Sequence, residues 1–325
     1  MKTEISVLMS VYNEDPDEIC KAVVSILTQT TKDIELIIVN DNPGKKEYVS
    51  YLEDWKSKDA RIKIINNTQN EGLAASMNKA LEYASGEYIA RMDADDISVS
   101  NRFEKELAVL RTGRYDVVFS NYTSIGDNDA FLDNGKPACS INQGQNLEEL
   151  IVFNGVVHHP TVMMKKETLR LVNGYRRFPC SQDQDLWIRM LESGAKFFFL
   201  DEVLLYYRIR QNSITQKRRL QQYVTIQYIW DLMIERIEHS GKDSYSEEAY
   251  RDYIEKRCSD EREMKGFDIA VRCLMSAKSL QDKGKQYDRT LQRIKAFYAS
   301  RTIREAYLFK LHNKRRVMDY LSAKL

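Results

Sequence analysis

The first 120 residues alternate short apolar runs with helix-forming stretches on short links. Ile5–Val11, Ile34–Val39, Ile62–Ile65, Tyr88–Met92 and Asp116–Ser120 have strand length and the composition of strands buried on both faces. Asp15-Pro16-Asp17-Glu18 supplies an N-cap aspartate, a proline at the first helical position and an acid three residues after the cap. It opens a helix to about Leu27. The loop Asn66–Gly72 leads into an alanine-rich helix, Leu73–Ala84, with Gly86 as its C-cap. Such alternation predicts an α/β fold, a mostly parallel sheet with helices on both faces. Ligands then bind at the carboxyl ends of the strands. The polar groups Tyr12-Asn13-Glu14, Asn40-Asp41-Asn42, Asn66-Asn67 and Asp93-Ala94-Asp95-Asp96 therefore gather on one rim.

Between 121 and 215 the pattern is mixed: a loop or hairpin region over Tyr122–Gln145, a helix near Asn146–Phe153 and a strand around Thr161–Met164. A helix at Gln184–Glu192 and strands near Lys196–Leu200 and Leu204–Arg210 follow. After Gln216 proline is absent and helix formers dominate, which predicts two to four helices with breaks near Gly241 and Gly284. Charge changes at the same place. Residues 1–215 carry 25 Lys and Arg against 32 Asp and Glu, and residues 216–325 carry 24 against 16. Two domains are expected, 1–215 and 216–325. Five scattered cysteines without a Cys-x-x-Cys pair argue against a disulfide framework or zinc site, and for a cytoplasmic home. Neither a signal peptide nor a membrane-spanning run is expected.

Asp93-Ala94-Asp95-Asp96 places three acids within four residues at a strand end. A hard cation with oxygen ligands would relieve their repulsion; a solvated turn before a helix is the other reading. Asp41 lies in the turn-rich Asn40–Gly44, where it either accepts hydrogen bonds from a base or ribose or closes an Asx turn. Asp183 and Asp185, in Ser181–Trp187, either cap a helix or supply a general base. Neighbouring His158 and His159 point opposite ways in an extended segment, so they do not serve one ion; His159 is expected to shape the pocket by hydrogen bonding. Phe197–Phe199, Tyr206 and Tyr207 are read mainly as core.

Taken in order, Ser6–Glu14, Ser25–Thr30, Val39–Asn42, Asn70–Asn78, Gly86–Asp96, His159-Pro160, Gln182–Trp187 and Tyr207-Arg208 resemble the family 2 inverting glycosyltransferases of the GT-A fold, over about residues 4–215. The resemblance implies a nucleotide-sugar donor, with Tyr12, Glu14, Asp41, Asn78 and Asp93 at the nucleotide and Asp41 on a pyrimidine edge, favouring UDP. It implies Mg²⁺ or Mn²⁺ on Asp95, Asp183 as catalytic base, and His159, Gln182, Trp187 and Arg208 about the acceptor pocket. The acceptor would be a glycan or lipid-linked glycan, and no nucleic acid is expected as a partner. Asn40 stands where the family usually has aspartate, Gln182 where it often has glutamate, and Arg210 where relatives often have histidine. The Gln-x-x-Arg-Trp pattern of processive synthases is absent, so addition of a single sugar is expected.

Two other readings remain. A sugar nucleotidyltransferase would want a glycine-rich, basic phosphate loop, which Ser10–Glu14 lacks. A non-catalytic scaffold or sugar-nucleotide sensor would not need the four aspartates, and donor turnover separates it. The tail carries a further expectation. Residues 283–325 hold 12 Lys and Arg against 3 Asp and Glu, and Leu291, Ile294, Phe297, Tyr298, Ile303, Tyr307, Leu308 and Leu311 recur at helical spacings. This predicts peripheral contact with anionic lipid at the inner face of the cell membrane, or docking on an acidic partner; packing of the apolar side on the catalytic domain is the plainer alternative.

Overall fold

The computed structural model describes residues 3–142, 144–210, 218–282 and 286–325. The expected boundary at 215/216 and the expected break at Gly284 lie outside them. The chain divides into two compact units, Met1–Gln211 with Lys324–Leu325, and Asn212–Ala323.

The first unit is built on one eight-stranded sheet in the order β3-β2-β1-β4-β7-β6-β8-β5. The strands are β1 (Ile5–Val11), β2 (Ile34–Asn40), β3 (Ile62–Asn66), β4 (Tyr88–Arg91), β5 (Ile97–Ser98), β6 (Val117–Ile125), β7 (Val162–Lys165) and β8 (Phe197–Arg208). Every residue of β2 is buried, as its continuous apolar run requires. Val7 pairs with Leu36 on one side and Ala90 on the other, so β1 lies between β2 and β4. Helix α1 (Pro16–Leu27) starts with a capping box: Asp17 N–H donates to Asp15 Oδ1 and Asp15 N–H to Glu18 Oε2. It buries Ile19, Val23 and Ile26 in the cluster that contains Ile5, Val7, Met9 and Val11.

The sheet is mixed rather than mostly parallel. β7 runs antiparallel to both β4 and β6, and β5 antiparallel to β8. A short helix, α5 (Leu147–Asn154), and a single 3₁₀ turn (His159–Thr161) lead into β7, in place of the full crossover helix that a parallel neighbour needs. β8 is one strand where the sequence predicts two, with its register against β6 shifted about Ser120–Tyr122. Helices α2 (Lys46–Lys58), α3 (Leu73–Tyr83), α4 (Arg102–Leu110), α6 (Lys166–Leu171) and α7 (Gln182–Glu192) complete the unit. Gly86 does not cap α3, whose C-cap is Ala84. A Cβ on Gly86 would stand 2.7 Å from Ser6 N, so this glycine allows a backbone approach.

The second unit holds five helices among its described residues: α8 (Arg219–Glu238), α9 (Glu247–Cys258), α10 (Glu261–Asp282), α11 (Gln286–Ala299) and α12 (Arg301–Ser322). The sequence predicts fewer because the breaks before α10 and α12 use neither glycine nor proline. Ser300 caps α12 by accepting from Ile303 N–H, and Glu263 accepts from the Ser300 hydroxyl and from the backbone N–H groups of Arg301 and Thr302. Val224, Met233, Phe267, Ala296, Val317 and Leu321 are among its buried apolar residues.

Candidate active site

The three acids after β4 have separate neighbours. Arg91, the last residue of β4, is buried; its guanidinium donates to Met92 O and to Asp93 Oδ1, and through Nε to His159 Nδ1 at 3.3 Å. Asp95 Oδ2 lies 3.0 Å from Arg210 Nη2. Burial and the Asp93 charge, only partly countered by Arg210, push the Asp95 carboxyl up to about 7. Asp96 is fully buried and accepts the Arg208 backbone N–H at 2.9 Å through Oδ1. Burial, then the charges of Asp93 and Asp95, hold its carboxyl well above the carboxylate range. Asp96 thus pins the acid turn to β8.

Arg208 shares that task, which corrects its expected place at the acceptor pocket. Its side chain has no exposed surface, and its guanidinium donates to Asp95 O at 2.8 Å, Gly126 O at 2.7 Å and Asp129 Oδ1 at 2.5 Å. It supports the acid turn from behind. Trp187 is corrected likewise. It is wholly buried on α7, edge-on to His159 at 5.9 Å and Phe197 at 6.2 Å between ring centres. One turn separates it from Asp183, but α7 is buried almost all round, from Gln184 to Leu191, so helical spacing alone could not say which residue faces the cleft.

Asp183 follows Gln182 in the first turn of α7, and Gln182 is buried. Ser181 precedes them in the left-handed region, φ 56°. Burial raises the Asp183 carboxyl against the hydrogen bonds from the backbone of Gln184 and its own N–H; the Asp93 charge raises it further and Arg91 opposes. Asp185 instead accepts from Arg189 Nε at 2.7 Å within α7. Tyr175 joins the set without any signal in the sequence. Its hydroxyl lies 2.8 Å from His159 Nε2, and burial followed by Arg91, Asp183 and Asp93 governs its raised pKa. His158 turns the other way, with Nε2 at 2.7 Å from the Tyr122 hydroxyl. Burial lowers its pKa to about 4, so it is neutral near pH 7.

On the nucleotide side Asp41 ties down the loop between β3 and α3. Its Oδ1 accepts from Asn67 Nδ2 at 2.8 Å and Glu71 N–H at 2.7 Å, and its Oδ2 accepts from Gly72 N–H at 2.9 Å. This is a clamp across two loops, not an Asx turn, and Oδ2 keeps a lone pair. Glu14 accepts the backbone N–H groups of Tyr12 and Asn13 at 2.7 and 3.1 Å, leaving the Tyr12 side chain 40% exposed at the rim. Asn78 does not present its amide to this rim. Its Oδ1 accepts from Tyr175 N–H and its Nδ2 donates to Tyr175 O, both at 2.8 Å, so it joins α3 to the segment carrying Tyr175.

Residues 6–168 match the family described as Glycosyl transferase family 2. An uncharacterized glycosyltransferase of Methanocaldococcus jannaschii is 35% identical over 70% of this chain and 80% of that protein. The chain belongs to glycosyl transferase family 2. Two Escherichia coli relatives carry more specific names. The O-antigen biosynthesis glycosyltransferase WbnJ is 31% identical over 69% of this chain and 86% of its own. The UDP-Glc:alpha-D-GlcNAc-diphosphoundecaprenol beta-1,3-glucosyltransferase WfgD is 26% identical over 72% and 87%. Among solved structures, Staphylococcus aureus TarS 1–349 in complex with UDP-GlcNAc superposes with a TM-score of 0.60 at 15% identity, covering 97% of this chain and 90% of that one. It shares the GT-A-like fold.

In this family 2 transferase the acid turn suits a hard divalent cation in its donor chemistry, since Asp93, Asp95 and Asp96 bring carboxylate oxygens together in one turn after β4. Among the described residues no three His, Cys, Asp or Glu side chains are arranged to hold a metal by themselves. Phosphate oxygens of a donor would have to complete such a site.

Proposed function

We propose that this transferase moves a single sugar from a UDP-sugar to an acceptor hydroxyl with inversion, Asp183 acting as base and a divalent ion held through Asp95. The observation that carries the reading is the meeting, on one rim, of the acid turn after β4 and the first turn of α7. There burial raises the Asp183 carboxyl, and the Asp93 charge adds to this while Arg91 opposes it.

The acceptor hydroxyl must lose its proton as its oxygen attacks the anomeric carbon. A carboxylate with a raised pKa is the stronger base for that step, and general base catalysis contributes about 10²–10⁴-fold. Mg²⁺ or Mn²⁺, when bound, neutralises the charge that develops on the departing diphosphate. Asp95 would hold it, with Asp93 beside ribose or donor sugar and Arg91 orienting Asp93. Asp41 would accept from a pyrimidine N–H through its remaining lone pair. One in-line displacement completes the reaction without a covalent enzyme intermediate. The WfgD and TarS names support a UDP-linked donor, and the WbnJ and WfgD names support an acceptor on a growing surface glycan, lipid-linked in the second case.

For the acceptor side, the second unit would rest on an anionic membrane surface, at its cytoplasmic face. Tyr287, Leu291, Ile294 and Tyr298 follow one face of α11 and are 81%, 39%, 49% and 76% exposed. Arg289, Arg293 and Lys295 alternate with them. No described helix is long and apolar enough to cross a membrane, so the contact would be peripheral.

The test is a panel of nucleotide sugars incubated with and without Mn²⁺ and scored for donor hydrolysis. UDP-sugars should turn over in the presence of Mn²⁺, ADP- and GDP-sugars poorly, and Asp95→Asn should remove the metal response. Equal turnover across the three nucleotides would overturn the role of Asp41. Metal dependence retained in the variant would overturn that of Asp95.

A further inference from the structure

The acids of the turn after β4 and the neighbouring Glu14 each have a distinct partner. Asp93 is paired with Arg91, which is anchored on β4 and His159. Asp96 takes the Arg208 backbone, and Glu14 holds two backbone N–H groups. The charged partner of Asp95 among the described residues is Arg210, two residues beyond the end of β8. Its Nη2 lies 3.0 Å from Asp95 Oδ2 and 2.5 Å from Glu18 Oε2. Glu18 is itself held by the capping box at the start of α1, through the Asp15 N–H. Arg210 Nε is buried with no hydrogen-bond partner among the described residues. The guanidinium is thus drawn in by two carboxylates while one of its donors has no partner among the described residues, a buried-polar penalty that a phosphate oxygen would remove.

We propose that Arg210 is a built-in counter-cation at the Asp95 carboxylate, which competes with the divalent ion until a nucleoside diphosphate arrives to take the guanidinium. The inference rests on the reading of Asp95 as the metal ligand. An Mg²⁺ ion on a carboxylate oxygen would sit about 2.0–2.1 Å from it, and on the Arg210 side of Oδ2 it would face a guanidinium nitrogen now 3.0 Å from that same oxygen. Two cations at such separation repel strongly in a partly buried site. A diphosphate reverses the balance, since its oxygens supply ligands that the protein lacks and offer Arg210 a bidentate partner suited to its planar fork. Metal and nucleotide should therefore bind with strong positive coupling. By linkage, each raises the affinity of the other by the same factor.

Mn²⁺ binding to the full chain, followed by the electron paramagnetic resonance signal of free Mn²⁺, tests this with and without UDP, independently of turnover. Arg210→Gln and Arg210→Met should bind Mn²⁺ without nucleotide about tenfold more tightly than the parent, and the gain that UDP brings should shrink by a similar factor. Arg210→Lys, which keeps the charge, should resemble the parent. Thermal melting of each variant confirms that the affinities belong to folded protein. If both neutral variants bind Mn²⁺ alone no better than the parent, while Asp95→Asn still abolishes UDP-dependent binding, the role of Arg210 is overturned and that of Asp95 stands. If the parent binds no Mn²⁺ even with UDP, the metal reading itself falls, and this inference with it.

Discussion

Asp183 and Asp185 share one helical turn yet receive different chemistry from their surroundings. Asp185 is neutralised inside α7 by Arg189, whereas burial and then the Asp93 charge raise the readiness of Asp183 to take a proton, against the backbone donors that oppose it. Asp183→Asn should therefore lower kcat by about 10²–10⁴-fold with little change in donor affinity, because the base acts on the acceptor in the transition state. Titration with UDP beside a transfer assay decides it; lost UDP affinity with near-normal transfer would contradict the assignment. His158 allows a second prediction. Burial holds its folded pKa at about 4, below the ordinary 6.5. Above pH 6.5 it is neutral folded or unfolded. Below that the unfolded chain takes the proton first, so the stability this residue contributes is lost as pH falls from 6.5 towards 4. His158→Gln, which keeps a partner for Tyr122, should flatten the dependence of melting temperature on pH in that window. An unchanged slope would show that other groups set it.

At the scale of elements, the site is assembled by cross-ties between pieces distant in sequence. Asn78 on α3 holds Tyr175 by two hydrogen bonds, and Tyr175 reaches His159, which reaches Arg91 at the end of β4. Gly174 permits the approach: its φ is +66°, and a Cβ there would stand 2.4 Å from Asn78 Oδ1. Asn78→Ala should leave two backbone groups of Tyr175 without these partners, at about 1–3 kcal/mol each where they stay buried. It should lower the urea midpoint and transfer together while sparing UDP affinity. A selective loss of UDP affinity at unchanged stability would return Asn78 to the nucleotide.

For the whole molecule, the first 215 residues are net acidic and the rest net basic, and the structure leaves much of the apolar material of the tail uncovered. Besides the face on α11, Tyr307 and Leu311 on α12 are 60% and 63% exposed. Phe297 is instead half-buried, against Tyr298 and Tyr307. Exposed apolar patches of this kind mark interaction surfaces, and each Lys or Arg near an anionic bilayer contributes about 1 kcal/mol. Flotation with vesicles should therefore recover the protein on anionic but not neutral lipid, with recovery falling as salt rises. Replacing Leu291 and Ile294 by Ser should reduce it. Equal recovery on both lipids, or no response to salt, would leave the face for another protein or another copy of the chain.

The sequence by itself determined the strands β1 to β4, the helices α1 and α3 and the rim on which their polar residues meet, because apolar runs and helix caps are local signals read within a dozen residues; α2, whose N-cap Lys45 makes no side-chain capping hydrogen bond, was not read from it. It also contained the motifs of the family, in order. Which residue of each motif faces the rim was a tertiary decision. Arg208 and Trp187 read as pocket residues and are interior; Asn78 reads as a nucleotide contact and binds backbone 97 residues away. The ends of the helices in the second unit were hidden as well, since Ser300 needs Glu263, 37 residues earlier, to close the break it makes. Side-chain direction and long-range hydrogen bonding depend on what the rest of the chain brings alongside, and a residue's own neighbours in sequence carry no record of that.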